Sequence, residues 1–162
     1  MEERITATTT LDEAISEMEN MYLCFTVGNE NYGVEIRYVL QIIGMQEITR
    51  LPEMPCEMQG FINLRGSIIP VISMRVRFGK SENEHTERTC IVVVKVGDNQ
   101  IGLIVDSIQE AVTIDPEHIA PPPATDRNST TPYLKGIARL ANNNITILIH
   151  VQELFAQHEY NC

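Results

Sequence analysis

The sequence predicts an all-β protein, a sandwich or barrel of many short strands. Three observations carry that expectation. Apolar strand-like runs recur along the chain, among them MYLCFTV from Met21, CIVVVKV from Cys90 and IGLIV from Ile101. Turn signals rich in Gly and Asn, GNEN and GDNQ, separate them at the close spacing of hairpins rather than of βαβ units. The chain also begins again part-way. VGNENYGV (27–34) is echoed by VGDNQIGL (96–103), and GFINLRGSIIPVISM from Gly60 is echoed by GIARLANNNITILIHV from Gly136. Two echoes in the same order suggest two similar small β-units in tandem. Turn chemistry common to all hairpins would give part of the same pattern.

Taken in order, residues 1–20 read as a flexible acidic tail. Thr10 to Glu13 fits a capping box, which allows a short helix over LDEAISEMEN. MYLCFTV, the turn GNEN and YGVEI then form a hairpin. VLQII is a further apolar segment. In LPEMPCEMQG, Pro55 can open a short helical turn that Gly60 closes. The stretch from Gly60 to Met74 reads as a strand, a break at Gly66 and a second strand. Pro70 inside the latter points to an edge or a corner. On this reading Arg65 lies on the strand and shares a face with Phe61 and Asn63, because side chains alternate. SENEHTER (81–88) is a polar loop. CIVVVKV, GDNQ and IGLIV form the second hairpin. APPPATD (120–126) is an extended, polyproline-like connection. VQELFAQ fits a short C-terminal helix with Val151, Leu154 and Phe155 on one face.

The chain has 162 residues, enough for one domain or two very small ones. A net charge of −10 argues against general nucleic-acid binding, which needs a basic footprint. One stretch runs the other way: Arg65, Arg75, Arg77 and Lys80 lie between Gly60 and Lys80 with no acid among them. Such a stretch either orients a partner or is a solvated face. Cys24, Cys56, Cys90 and Cys162 form no C-x-x-C pair, the start lacks the pattern of a secretory signal, and no apolar run reaches the ~20 residues of a membrane span. The expectation is a cytoplasmic protein with free thiols.

A catalytic constellation is missing from the sequence. His85, His118, His150 and His158 do not stand at metal-ligand spacing with a Cys or carboxylate. No nucleophile elbow of the G-x-S-x-G kind occurs. Gly28, Gly33 and Gly102 belong to hairpins rather than to a phosphate loop. Glu35, Glu47, Asp106 and Glu110 are carboxylates of the ordinary solvated kind unless the fold pairs them. The reading is therefore a non-enzymatic adaptor without metal or cofactor. The Val and Ile residues of VLQII and IVDSIQEAV exceed what simple alternation would bury, and the surplus suits a groove or a core.

Four stretches of the chain resemble the CheW family of chemotaxis coupling proteins. GFINLRGSIIPVISMRVRFG is similar to its characteristic N-L-R-G and I-I-P-V block. FTVGNENYGVEIRYVLQII is similar to its opening hairpin. IGLIVDSIQEAVTIDPEHIAPPP resembles its G-L-x-V-D strand and Pro-rich connection, and YLKGIARLANNNITILIHVQELF its closing strands and helix. The resemblance implies two SH3-like five-stranded β-barrels packed together, with short helical turns and a short C-terminal helix. The CheW-like domain would span 21–158, with approximate units 21–88 and 89–158 and strand exchange between them allowed.

The resemblance also implies an adaptor between chemoreceptor cytoplasmic signalling tips and the regulatory domain of a CheA-type histidine kinase, recruited to membrane-associated receptor arrays. The related kinase domain could pair with it end to end into rings. The alternative is a coupling adaptor for pili or another non-flagellar output. Carried over by position, Val39 and Ile108 would be apolar groove contacts, with Gln41 beside them. Arg65 would lie near that groove, with Gly60 and Gly66 holding the backbone around it. The chain departs from the family at Gln41, where an acid is common, and at Ser73, which replaces the acid of V-x-D-L.

Overall fold

The computed structural model describes residues 19–50, 52–53, 58–81, 84–122, 133–140 and 143–154. The capping box at Thr10, Pro55, the Pro-rich segment beyond Pro122 and Phe155 lie outside them. Among the described residues the structure has eleven strands and two one-turn helices. The first hairpin is β1 (Met21–Val27) and β2 (Glu30–Glu35), followed by a 3-10 turn, Ile36–Tyr38, and β3 (Val39–Gly44). A second hairpin, β4 (Met58–Leu64) and β5 (Ser67–Ser73), runs into α1 (Met74–Arg77). The third is β6 (Cys90–Val96) and β7 (Asn99–Val105), leading into β8 (Ser107–Thr113). A 3-10 turn, Pro116–His118, then precedes β9 (Ile119–Ala120), β10 (Leu134–Arg139), β11 (Ile145–Ile149) and α2 (Val151–Leu154).

The strands form two sheets, one of six in the order β8-β1-β2-β11-β10-β9 and one of five in the order β3-β6-β7-β5-β4. The five-stranded sheet is thus a continuous piece of chain, β3 to β7, set between the first hairpin and the remainder of the six-stranded sheet. Each sheet draws strands from both sides of residue 88, so the sheets do not coincide with units 21–88 and 89–158. The reason is pairing at long range: β2 runs parallel to β11, and β5 parallel to β7.

Both sheets curl. After β3 the chain pairs Thr49 with Phe61 on β4, the opposite edge. In a flat sheet that position would lie about 24 Å from β3, whereas the chain from Gly44 to Thr49 reaches at most about 18 Å. The six-stranded sheet repeats the device, with β8 leading through its 3-10 turn to β9 beyond β10.

Curling gives each sheet an inside, and stacking gives the pair a shared core. Ile62, Ile69, Val71, Ile91, Val93 and Ile104 fill the five-stranded sheet. Tyr22, Ile114, Ala138 and Leu148 fill the other. A larger cluster takes Phe25, Val27, Tyr32, Val34 and Ile149 from one sheet and Val92, Val94, Leu103 and Val105 from the other. The central hairpin strands are therefore buried on both faces. This is the physical reason CIVVV and GLIV read as unbroken apolar runs, without the alternation of a half-exposed strand.

The tandem echoes occupy equivalent places. Val27↔Glu30 and Val96↔Asn99 close the two hairpins, and Gly28 and Gly97 take the left-handed conformation at φ +65° and +62°. Gly60 is a correction. It closes no helical turn, but sits within β4 at a register shift. A Cβ there would meet the Thr49 carbonyl oxygen at 2.3 Å, and one at Gly136 would meet that of Ala120 at 2.7 Å. Both glycines admit the bridge that curls their sheet. Pro70 lies opposite Phe61, whose N–H and carbonyl both engage Thr49. The imide nitrogen of Pro70 therefore faces away from β4, just before β5 starts to pair with β7 at Val71.

Candidate partner-binding site

Val39 and Ile108 hold equivalent positions on the two edge strands β3 and β8. Val39 pairs with Val94, which pairs with Ile101; Ile108 pairs with Phe25, which pairs with Tyr32. Both are half-buried and pack against the shared core, so both stand at its margin, where the two sheets meet. A register shift between Val39 and Gln41 displaces Leu40. Leu40 and Ile42 are 46% and 44% exposed, and Gln41 between them is half-buried. At the corresponding points of β8, Gln109 follows Ile108, and Ala111 lies opposite Leu23 as Ile42 lies opposite Val92. One edge is apolar outward while its equivalent is not.

Arg65 is not on a strand. Leu64 pairs with Ser67, leaving Arg65 and Gly66 as a two-residue hairpin loop. Both have positive φ, +54° and +90°, the pattern of a type I′ turn, whose backbone twist suits a hairpin. The Asn63 side-chain oxygen accepts from the Gly66 N–H at 2.9 Å. Phe61 and Asn63 therefore do not carry Arg65 along their face, because the strand has ended. Arg65 is exposed, and Ile68, three residues on, is 65% exposed. Gly66 holds the turn, whereas Gly60 is buried at the Thr49 bridge and does not hold the backbone around Arg65.

The other cations of the basic stretch are engaged within the fold. Arg75 grips Asp106 with two hydrogen bonds, at 3.0 and 2.7 Å. Arg77 donates to the Leu154 carbonyl and stacks over Tyr133. Lys80 pairs with Glu30 at 2.6 Å, and this hydrogen bond holds the Glu30 carboxyl below its ordinary value. Among the described residues, Arg65 has no such partner. Of the four carboxylates singled out in the sequence, Glu35 and Asp106 are tied to bases rather than to one another. Glu35 is buried against Arg37 at 2.8 Å and Lys135 at 3.6 Å. Glu47 and Glu110 are exposed.

The Ser73 departure has a local account. Ser73 is the N-cap of α1, its hydroxyl accepting from the Val76 N–H at 3.3 Å. Asp and Ser cap about equally well, so a serine suits this position as an acid would. Among the described residues, no three His, Cys, Asp or Glu side chains converge as metal ligands, and no helix is long and apolar enough to cross a membrane.

The family model of the CheW-like domain matches residues 21–159. The chain belongs to the CheW family. It is 33% identical to the chemotaxis protein CheW of Klebsiella aerogenes over 138 residues, covering 85% of this chain and 82% of that one. Identity to the CheW of Helicobacter pylori is also 33%, over 82% of this chain and 79% of the relative. The solved scaffolding protein TtCheW from Thermoanaerobacter tengcongensis superposes with a TM-score of 0.77 at 34% identity, covering 86% of this chain and 94% of that one. The CheW fold is thus shared over nearly the whole described region. Sequence reading named Val39 and Ile108 as groove contacts with Gln41 beside them and put Arg65 on a strand near that groove, whereas the first three lie on the edge strands β3 and β8 and Arg65 lies on a hairpin tip. It did not single out Leu40, Ile42 or Ile68. The largely apolar run VLQII was the signal for Leu40 and Ile42.

Proposed function

We propose that this protein is a non-enzymatic scaffold of chemotaxis signal transduction, coupling chemoreceptor signalling tips to the regulatory domain of a CheA-type histidine kinase. It would work in the cytoplasm, recruited to membrane-associated receptor arrays. Family membership supports the scaffold role. The observation that carries the coupling role is the apolar outward edge of β3, where Leu40 and Ile42 stand exposed beside Val39 at the margin of the shared core. An amphipathic helix from a receptor tip can cover such a strip with its own apolar face. Arg65, on a separate hairpin tip, offers a planar fork to carboxylates of a second contact. The FrzA protein of Myxococcus xanthus matches at 27% over 80% of this chain. The chemotaxis proteins above match at higher identity, which favours chemotaxis over a non-flagellar output.

Titration calorimetry with a receptor-tip fragment and with the kinase regulatory domain tests the reading. Each should bind alone, and both together should give a ternary complex by size exclusion. Failure to bind either partner overturns it.

A further inference from the structure

The chain passes from the five-stranded sheet to the six-stranded one through a single residue, Asp106, between Val105 of β7 and Ser107 of β8. That residue is fastened from both sides. Arg75, in α1 directly after β5 of the five-stranded sheet, donates to both of its carboxylate oxygens. The Gly28 N–H, in the β1–β2 turn of the six-stranded sheet, donates to one of them at 2.8 Å. The Asp106 N–H donates to the Thr26 carbonyl, and the hydroxyls of Ser107 and Thr26 are bonded at 2.6 Å. Arg75 is itself held by the Ser81 carbonyl. Two residues beyond this fastening stands Ile108.

We infer that the Arg75–Asp106 pair is a positioning device for partner binding: it fixes where β8 leaves the five-stranded sheet, and so holds Ile108 at the margin that faces Val39. The inference rests on the proposed binding of a receptor tip along that margin. Arg75 and Asp106 need not touch the partner. Their two-point contact is of the bidentate kind that fixes direction as well as distance, and it ties α1, which follows β5 of one sheet, to the residue that leads into β8 of the other.

Two measurements on the full chain test it. First, spin labels carried by non-canonical amino acids at Lys95 on β6 and Glu110 on β8 report the sheet-to-sheet distance. Asp106→Asn and Arg75→Lys should broaden or shift that distribution while thermal unfolding stays cooperative; an unchanged distribution overturns the inference. Second, Asp106→Asn should weaken the receptor-tip fragment about tenfold, as should Ile108→Ala. If Asp106 acts through Ile108, the double variant should bind little worse than either single one, because coupled sites are not additive. Multiplied effects, near a hundredfold, overturn it. Should the unaltered protein fail to bind the fragment, the proposed function fails, and the distance measurement alone still decides whether the clamp sets the sheets.

Discussion

Arg65 occupies a conformation that costs a residue with a Cβ about 1 kcal/mol, and its side chain gains nothing from the described fold in return. Strain without an internal partner points outward. Arg65→Ala should therefore weaken a partner by about 2 kcal/mol, roughly thirtyfold in dissociation constant. Arg65→Lys should restore only part, since an ammonium cannot make the bidentate contact. The φ of +54° adds a further expectation. Arg65→Asn, better suited to a type I′ turn, should raise the thermal midpoint by roughly 2–4 °C while binding falls as in the Ala variant. Paired calorimetry and thermal melts check this; a lower midpoint would show that the arginine supports the fold. Cys24 offers a second prediction at this scale. Burial pushes its thiol up to about 11, with Glu110 adding to the effect. The unfolded thiol ionises near pH 8.5, so the native state keeps a proton that the unfolded state has lost. Stability should fall between about pH 8.5 and 11, by at most about 1.4 kcal/mol per pH unit from this group. Urea melts of Cys24→Ala should show a shallower slope there; an identical slope would clear the thiol.

The edge strands separate what binds from what folds. Val39 and Ile108 pack on the shared core, so a buried charge at either should destabilise the protein as well as disturb binding. Leu40→Asp and Ile42→Asp test the surface itself. Each should leave the midpoint within a few degrees and weaken the receptor-tip fragment more than tenfold. Loss of cooperative melting would make these positions structural, and unchanged affinity would move the partner elsewhere. The hairpins were legible in the sequence because their turn chemistry is local: Gly28 and Gly97 announce left-handed turns from within a few residues. Arg65 was misplaced for a related reason. Only Gly66 marks its turn, so the break was read at that one residue and Arg65 was left on the strand before it. Gly60 was misread because its role depends on Thr49 arriving from the far edge, a contact no local pattern carries. Asp106 looked like a solvated carboxylate because Arg75 reaches it only through the fold.

At the scale of the molecule, the two stacked sheets share a core that neither builds alone. A cut in the 84–88 loop leaves an N-terminal fragment with β1 and β2 but without β8, β10 and β11, their companions in the six-stranded sheet. The C-terminal fragment keeps β6 and β7 but lacks β3, β4 and β5. Each fragment alone should be unfolded by circular dichroism, and mixing should restore β structure and one cooperative melt. A fragment that folds by itself would show that its strands suffice. The sequence revealed that the chain repeats; it could not reveal which hairpin joins which sheet, because the parallel pairs β2–β11 and β5–β7 join strands far apart along the chain.

The placement of the five-stranded sheet inside the chain also sets an order of assembly at the ribosome. Its last strand, β7, ends at Val105, so that sheet can complete while synthesis continues. The six-stranded sheet opens with β1 and β2 and closes only when β11 emerges, ending at Ile149. At about 5–20 residues per second, the first hairpin waits roughly 6–23 s after Glu35 is made before β11 is complete. Until β8 is made at Thr113 both of its edges are unpaired, and the β2 edge stays open until β11 follows; meanwhile Phe25, Val27, Tyr32 and Val34 lean on the neighbouring sheet for cover. The newborn protein is thus built from its middle outward, with its first strands among the last to find their place.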